Sequence, residues 1–224
     1  MGRVRVPRWS AIIGAALFTF STIVAPQQLR LTLDAEAVAC PHAELVFARG
    51  RMEAPGPGEI GATLYNLLRV KARKDISLYA VNYPANTEVD IGANDMSRHI
   101  LGMIARCPST RIVVGGYSLG AAVSDVVLAV PLPFVTFRNP LPASAAPNIA
   151  AVALFGNGFQ WVGPITSFSP VYRDRTIELC HGDDPICNPT IPQNWRTRWP
   201  DHLAPAYIKA GMVNQAANFI AARI

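Results

Sequence analysis

Ser118 stands in Gly116-Tyr117-Ser118-Leu119-Gly120, a G-x-S-x-G arrangement preceded by the apolar run Ile112-Val113-Val114-Gly115. A helix-compatible run, Ala121 to Leu128, follows it. A strand, a sharp turn flanked by glycines and a helix are the context in which a serine hydroxyl is pushed out of a sheet toward a substrate. The unpaired N–H groups and partial positive charge at the start of that helix would face a developing oxyanion. A serine hydroxyl is a weak nucleophile until a base takes its proton, and the base is best oriented by a buried carboxylate. Only two histidines follow Ser118, His181 and His202. The order serine, acid, histidine favours His202, read as a loop residue just before the last helical region. His42 and His99 precede the nucleophile and are read as packing or solvated residues. Asp183 and Asp184 compete for the carboxylate role, and spacing alone leaves both open.

These residues need elements to hold them. Apolar runs at 44–48, 76–81, 111–114, 149–155 and 176–179 read as strands. Helical patterns cover 60–70, 90–106, 118–130 and 203–223. Strands separated by helices predict a mainly parallel sheet with right-handed crossovers, hence a three-layer α/β/α sandwich. In such a sheet ligands bind beyond the carboxyl ends of the strands, where Ser118 and the 180–187 loop both fall. The proline-punctuated stretch 131–142 fits no element. It suits either an apolar rim that receives an acyl chain or a connector packed on the core.

The N-terminus reads as an export signal. Arg3, Arg5 and Arg8 precede an apolar stretch from Ala11 to Val24, too short for a comfortable membrane span. Small-residue cleavage patterns follow at Ala35-Glu36-Ala37 and Ala37-Val38-Ala39. Residues 1–39 are therefore assigned to signal and spacer, and 40–224 to one folded domain, with an uncleaved anchor as the alternative. Four cysteines remain after the signal (Cys40, Cys107, Cys180 and Cys187), an even number suited to an oxidising compartment. Their spacing does not suit zinc, and no metal or cofactor is expected. The net charge is +5. Arg3, Arg5, Arg8 and Arg30 against Asp34 and Glu36 account for two of those charges, which leaves a domain of about +3 with nothing to attract nucleic acid. Arg69, Lys71, Arg73 and Lys74 cluster at a helix end. They read as a solvated face that complements the helix dipole, with contact to an anionic lipid or cell-wall surface as the rival role.

From Cys40 onward the chain resembles the cutinase family of serine esterases, especially its bacterial cutinase-like branch. The resemblance rests on Cys40-Pro41, Val46-Phe47-Ala48-Arg49-Gly50, Gly115 to Ala121 and Leu154-Phe155-Gly156-Asn157. It continues with Cys180 to Cys187 enclosing Asp184-Pro185, and with His202 before a helical tail. It implies disulfides Cys40–Cys107 and Cys180–Cys187, Ser118 as nucleophile, Asp184 as acid and His202 as base. It also implies an oxyanion hole from the backbone N–H groups of Leu119 and Arg51, and activity on short- to medium-chain acyl esters. The export signal points to a secreted protein, extracellular or cell-wall associated, and a monomer is expected. Three positions depart from the family pattern. Arg51 stands where Ser or Thr is usual, removing a hydroxyl donor worth about 1–3 kcal/mol in the transition state. Leu119 replaces Gln, and Asp183 replaces Gly. Arg51 and the apolar 131–142 stretch also motivate an alternative, hydrolysis of phospholipids, lipid thioesters or cell-wall esters, and a non-catalytic lipid or cell-wall binder is the reading from outside enzymes.

Overall fold

The structure, a computed structural model, describes Gly2 and residues 39–133, 136–161, 163–188 and 194–224. The chain divides into two units, residues 1–37 and 38–224, and the fold below is that of the second. The signal and its cleavage sites lie outside the described residues, as do residues 134 and 135 of the proline-rich stretch.

Five parallel strands form one sheet: β1 (Ala43–Ala48), β2 (Ile76–Ala80), β3 (Arg111–Tyr117), β4 (Ile149–Phe155) and β5 (Thr176–Leu179). Their order across the sheet is β2-β1-β3-β4-β5. The main helices are α1 (Gly58–Ala72), α2 (Val89–Arg106) and α3 (Leu119–Ala129). A four-residue α4 (Ile165–Phe168) precedes β5, and α5 (Trp195–His202), α6 (Ala204–Lys209) and α7 (Met212–Ala221) close the chain.

β1, β3 and β4 are almost wholly apolar because both sheet faces are covered. Side chains alternate between two cores with the strand period of two. Leu45, Phe47, Val113, Ala153 and Phe155 pack with Leu64 and Leu68 of α1 and Ile220 of α7. Val46, Ile112, Val114, Val152 and Leu154 pack on the opposite face with Ile100 of α2 and Val123 of α3. The result is the three-layer sandwich anticipated from the pattern.

Several boundaries differ from the sequence reading. β3 runs on through Gly115 and Gly116 to Tyr117, because both glycines lie inside a paired parallel strand. The helix after it starts at Leu119, with Ser118 outside the helix. The single closing helix is three. Pro205 cannot supply the N–H that would continue α5, and Gly211, at φ 75°, ends α6 in the left-handed region. Phe137 is fully buried and Leu141 packs on the α2–α3 core, so this part of the proline-rich stretch is a connector. Asn94 fixes it by bonding the backbone at Thr136 and Arg138.

The strand order places the topological switch between β1 and β3, where the chain leaves β1 toward β2 and leaves β3 toward β4. Ser118 lies at the carboxyl end of β3 and the Arg49–Glu53 turn at the carboxyl end of β1. The Arg69–Lys74 cluster is at the other end of the sheet, where α1 enters β2.

Candidate active site

The turn that carries Ser118 exists because two positions have no side chain. A Cβ on Gly116 would lie 2.1 Å from the Gly120 carbonyl oxygen, and one on Gly120 would lie 2.0 Å from that of Ala48. α3 can therefore start directly against β1 and β3. The cost falls on Ser118, held at φ 54° and ψ −117°, outside the usual regions for an L-residue. Three hydrogen bonds over-determine this geometry. Ser118 N–H donates to the Phe155 carbonyl at 2.8 Å, and the Ser118 carbonyl accepts from Ala121 N–H at 3.0 Å and Ala122 N–H at 3.3 Å.

Ser118 Oγ lies 2.8 Å from His202 Nε2. His202 Nδ1 lies 2.7 Å from Asp184 Oδ2. These three residues come from the turn after β3, the disulfide loop and the end of α5, with Ser118 and His202 84 positions apart in sequence, yet form one continuous hydrogen-bonded line. His202 was read as a loop residue; it is the last residue of α5, which aims its imidazole across the sheet edge. It is 3% exposed, and Asp184 is fully buried. Burial works to raise the Asp184 pKa. The hydrogen bond and charge of His202, the Tyr207 hydroxyl and the Ile186 N–H outweigh it and hold the carboxyl below its ordinary value. Asp184 Oδ1 accepts from Ile186 N–H at 2.7 Å, and Oδ2 also accepts from Tyr207 O–H at 2.5 Å. Burial, then the Asp184 charge, push the Tyr207 phenol strongly upward, so it stays a neutral donor.

The two aspartate side chains go different ways: Asp184 is buried against His202, and Asp183 is not. Asp183 is exposed and ion-paired to Arg198 of α5. Its N–H donates to Asp201 at 3.0 Å, and His181 lies 3.6 Å from the same Asp201 carboxylate. The disulfide loop is thus fastened to α5, the helix that carries His202. Sulfurs of Cys180 and Cys187 are 2.07 Å apart and those of Cys40 and Cys107 2.00 Å apart. The first closes the Asp184 loop; the second ties the entry to β1 to the end of α2.

Opposite Ser118, the turn after β1 is braced from several sides. Buried Arg49 donates to the carbonyls of Glu53 at 2.9 Å and Tyr83 at 2.7 Å. The Glu53 carboxylate accepts from Gly50 N–H at 2.5 Å and from Glu59 N–H at 2.9 Å, so it also caps the start of α1. Met52 N–H donates to the Ala85 carbonyl at 2.9 Å. Among the described residues, the Arg51 N–H between these occupied groups has no intramolecular acceptor. Leu119, first residue of α3, leaves its N–H equally available, as the first turn of a helix must. The other two histidines do structural work: His99 bonds buried Glu44 at 2.7 Å, and His42 lies 3.0 Å from Lys74 Nζ.

A cavity of about 730 Å³ opens over Ser118 and His202. Leu119, Ala122, Phe159 and Ile186 give it an apolar wall, and Trp199 and Leu203 its rim. Arg51 and Met52 stand at the exposed edge. The sequence reading missed Tyr207, Tyr117, Asp201 and the Arg49–Glu53 brace. Tyr117 donates its hydroxyl to the His202 carbonyl, and Tyr207 reads in sequence as an ordinary core aromatic of a helix. Only a carboxylate already known to be buried would have called for a further donor.

A family model for cutinase matches residues 39–224. The probable carboxylesterase Culp2 of Mycobacterium tuberculosis is 56% identical over 215 residues, covering 96% of this chain and 94% of that protein. The phospholipase Culp4 of the same species is 44% identical over 221 residues, covering 97% and 92%. Among solved structures, Trichoderma reesei cutinase bound to a phosphonate inhibitor aligns with a TM-score of 0.60 and 25% identity, over 81% of this chain and 75% of that one. The catalytic core of acetyl xylan esterase from the same fungus aligns with a TM-score of 0.66 at 23% identity, over 83% and 100%, a likeness of fold.

Proposed function

We propose, since this chain belongs to the cutinase family and is a serine carboxylic-ester hydrolase, that Ser118, His202 and Asp184 carry its chemistry through an acyl-enzyme. The observation that supports this is the unbroken line from Ser118 Oγ through His202 to a buried Asp184. Neutral His202 takes the Ser118 proton on Nε2 while Oγ attacks the ester carbonyl. The resulting oxyanion sits against the N–H groups of Leu119 and Arg51, which carry charge best in a site that excludes water. His202 then donates its Nε2 proton to the leaving alkoxide as the carbon–oxygen bond breaks, leaving the acyl group on Ser118. A water enters, His202 deprotonates it, and the second tetrahedral intermediate collapses to free acid and restored serine. Asp184 keeps the proton of His202 on Nδ1 throughout. The chain supplies every group in this scheme, and no cofactor enters it.

Hydrolysis of p-nitrophenyl esters by the oxidised protein and its Ser118→Ala variant tests the reading. Turnover should fall by at least about a thousandfold in the variant with an unchanged melting temperature. Turnover that survives would remove Ser118 from the mechanism.

Phospholipid hydrolysis is a second reading, favoured by Arg51 at the mouth of the cavity, where a guanidinium can pair with a phosphate. The name of the phospholipase relative agrees with it. Replacing Arg51 with Ser should then lower turnover of phosphatidyl esters more than that of neutral esters. We further assign residues 1–39 to a signal and spacer and 40–224 to a secreted enzyme domain. Among the described residues no helix is long and apolar enough to cross a membrane. The Arg69–Lys74 cluster lies at the end of the sheet away from Ser118. Docking through it would point the catalytic cavity away from a lipid surface, so it is assigned to solvation.

A further inference from the structure

A second cavity, of about 210 Å³, lies beside the first. It is lined by Val126 and Ala129 of α3 and by Val130 just after it, with Ile165 and Phe168 opposite. Asp125 lies beneath, its carboxyl oxygens inaccessible to solvent, so the lining itself is apolar. Phe159 belongs to both cavities and stands between them.

The two cavities also share one helix face. Leu119 and Ala122 line the first, and Val126, Ala129 and Val130 line the second. Steps of three and four residues place Leu119, Ala122, Val126 and Ala129 on one stripe of α3, and Val130 caps its end. Each is only partly covered while the neighbouring positions Val123, Ser124 and Val127 are buried. From Leu119 to Ala129 this stripe spans about 15 Å at 1.5 Å per residue. One leaflet of a bilayer, half of the ~30 Å hydrocarbon core, is about as deep, so an acyl chain of the kind that fills a leaflet is comparable in length to the stripe. The stripe begins one residue from the proposed nucleophile, on the first turn of the helix that would hold the oxyanion. An alkyl chain esterified at Ser118 therefore has an apolar helix face leading away from the reacting carbonyl, with Phe159 standing between its two ends.

We propose that the enzyme accepts long-chain acyl esters as well as shorter ones, and that the distal part of the chain passes Phe159 along the α3 stripe into the second cavity. The assignment rests on Ser118 as the nucleophile. It names the residues that set the upper chain length: Val126, Ala129 and Val130, with Phe159 as the divider.

The test compares kcat/KM for p-nitrophenyl butyrate and p-nitrophenyl palmitate, both below their micellar range, in the wild type and in Ala129→Trp, with Ser118→Ala as control. Val130→Trp serves as a second plug should Ala129→Trp melt early. The wild type should turn over palmitate well above the Ser118→Ala background, and either plug should lower the palmitate-to-butyrate ratio at least tenfold, mostly through KM. Butyrate turnover that survives Ser118→Ala would overturn the nucleophile and the groove together. Butyrate turnover that requires Ser118, with palmitate at background or an unchanged ratio in a folded plug variant, would overturn the groove alone.

Discussion

Tyr207 gives the clearest case of a side chain whose role only the folded chain reveals. Its hydroxyl donates to the oxygen of Asp184 that also faces His202. Removing one donor from a buried, charged carboxylate should raise its pKa and loosen its hold on the imidazole. Tyr207→Phe should lower kcat by about tenfold with little change in KM, as loss of an orienting partner does. A purely structural role would instead move the melting temperature and leave kcat per folded molecule unchanged. The pH response has a definite sign. Asp184, with its folded pKa depressed, contributes stability that is fully present above the ordinary carboxylate value and is lost as pH falls through the lower folded one. In Tyr207→Phe that loss should begin at a higher pH, which acid-unfolding curves read directly. Gly120 shows the opposite kind of residue, important for what it lacks. Its missing Cβ would meet the Ala48 carbonyl at 2.0 Å, backbone against backbone, so Gly120→Ala should cost more than about 3 kcal/mol or prevent folding.

The elements were largely legible because the sheet is buried on both sides. Continuous apolar strands alternating with amphipathic helices leave few arrangements open, and all five strands lie where the pattern put them. The misread features have local causes. Ser118 escapes the helix because the glycines beside it permit a strained turn, and no periodicity encodes that. The final helical region breaks at Pro205 and Gly211, each visible in the sequence, but the apolar spacing runs on through both. His202 looked like a loop residue because Pro200 precedes it; the proline lies inside α5. At the site, the meeting of Ser118 with His202 could be expected from their order in the chain, whereas which of Asp183 and Asp184 touches His202 depends on a loop whose path no local rule gives. That loop yields a prediction at the element scale. The Cys180–Cys187 bridge closes a small ring, worth about 2.5 kcal/mol if its effect is mainly on the unfolded chain. Replacing both cysteines with Ser should lower denaturant stability by roughly that amount. It should also lower kcat, because Asp184 is carried by the loop that the bridge closes.

For the whole molecule, one buried group outside the catalytic line sets a stability limit. Asp125 of α3 lies close to Asn157 and Glu178. Burial pushes its pKa up to about 7, the Asn157 amide opposes this, and the Glu178 charge adds to it. Burial raises Glu178 as well, against the Ile165 N–H and Asn157. A carboxyl whose folded pKa lies above its unfolded one is bound to its proton more tightly in the native state. Stability should therefore fall as pH rises from about 4 to about 7, by on the order of 4 kcal/mol. Asp125→Asn removes this slope. It should melt higher than the wild type at pH 8 and no higher at pH 4, which calorimetry at the two pH values checks. The same cluster joins α3, β5 and the segment after β4 that carries Phe159, so the divider between the two cavities rests on it. The folded domain combines a five-stranded parallel sheet, two disulfides and an apolar cavity over Ser118.

Covalent trapping of that serine is the most direct check. The oxidised protein would be treated with diethyl p-nitrophenyl phosphate and its His202→Ala variant treated alongside, with the adduct located by peptide mass spectrometry. A single diethylphosphoryl group should appear on Ser118, formed at least a hundredfold more slowly in the variant. A folded protein that remains unlabelled at Ser118, or labels equally fast without His202, would contradict it.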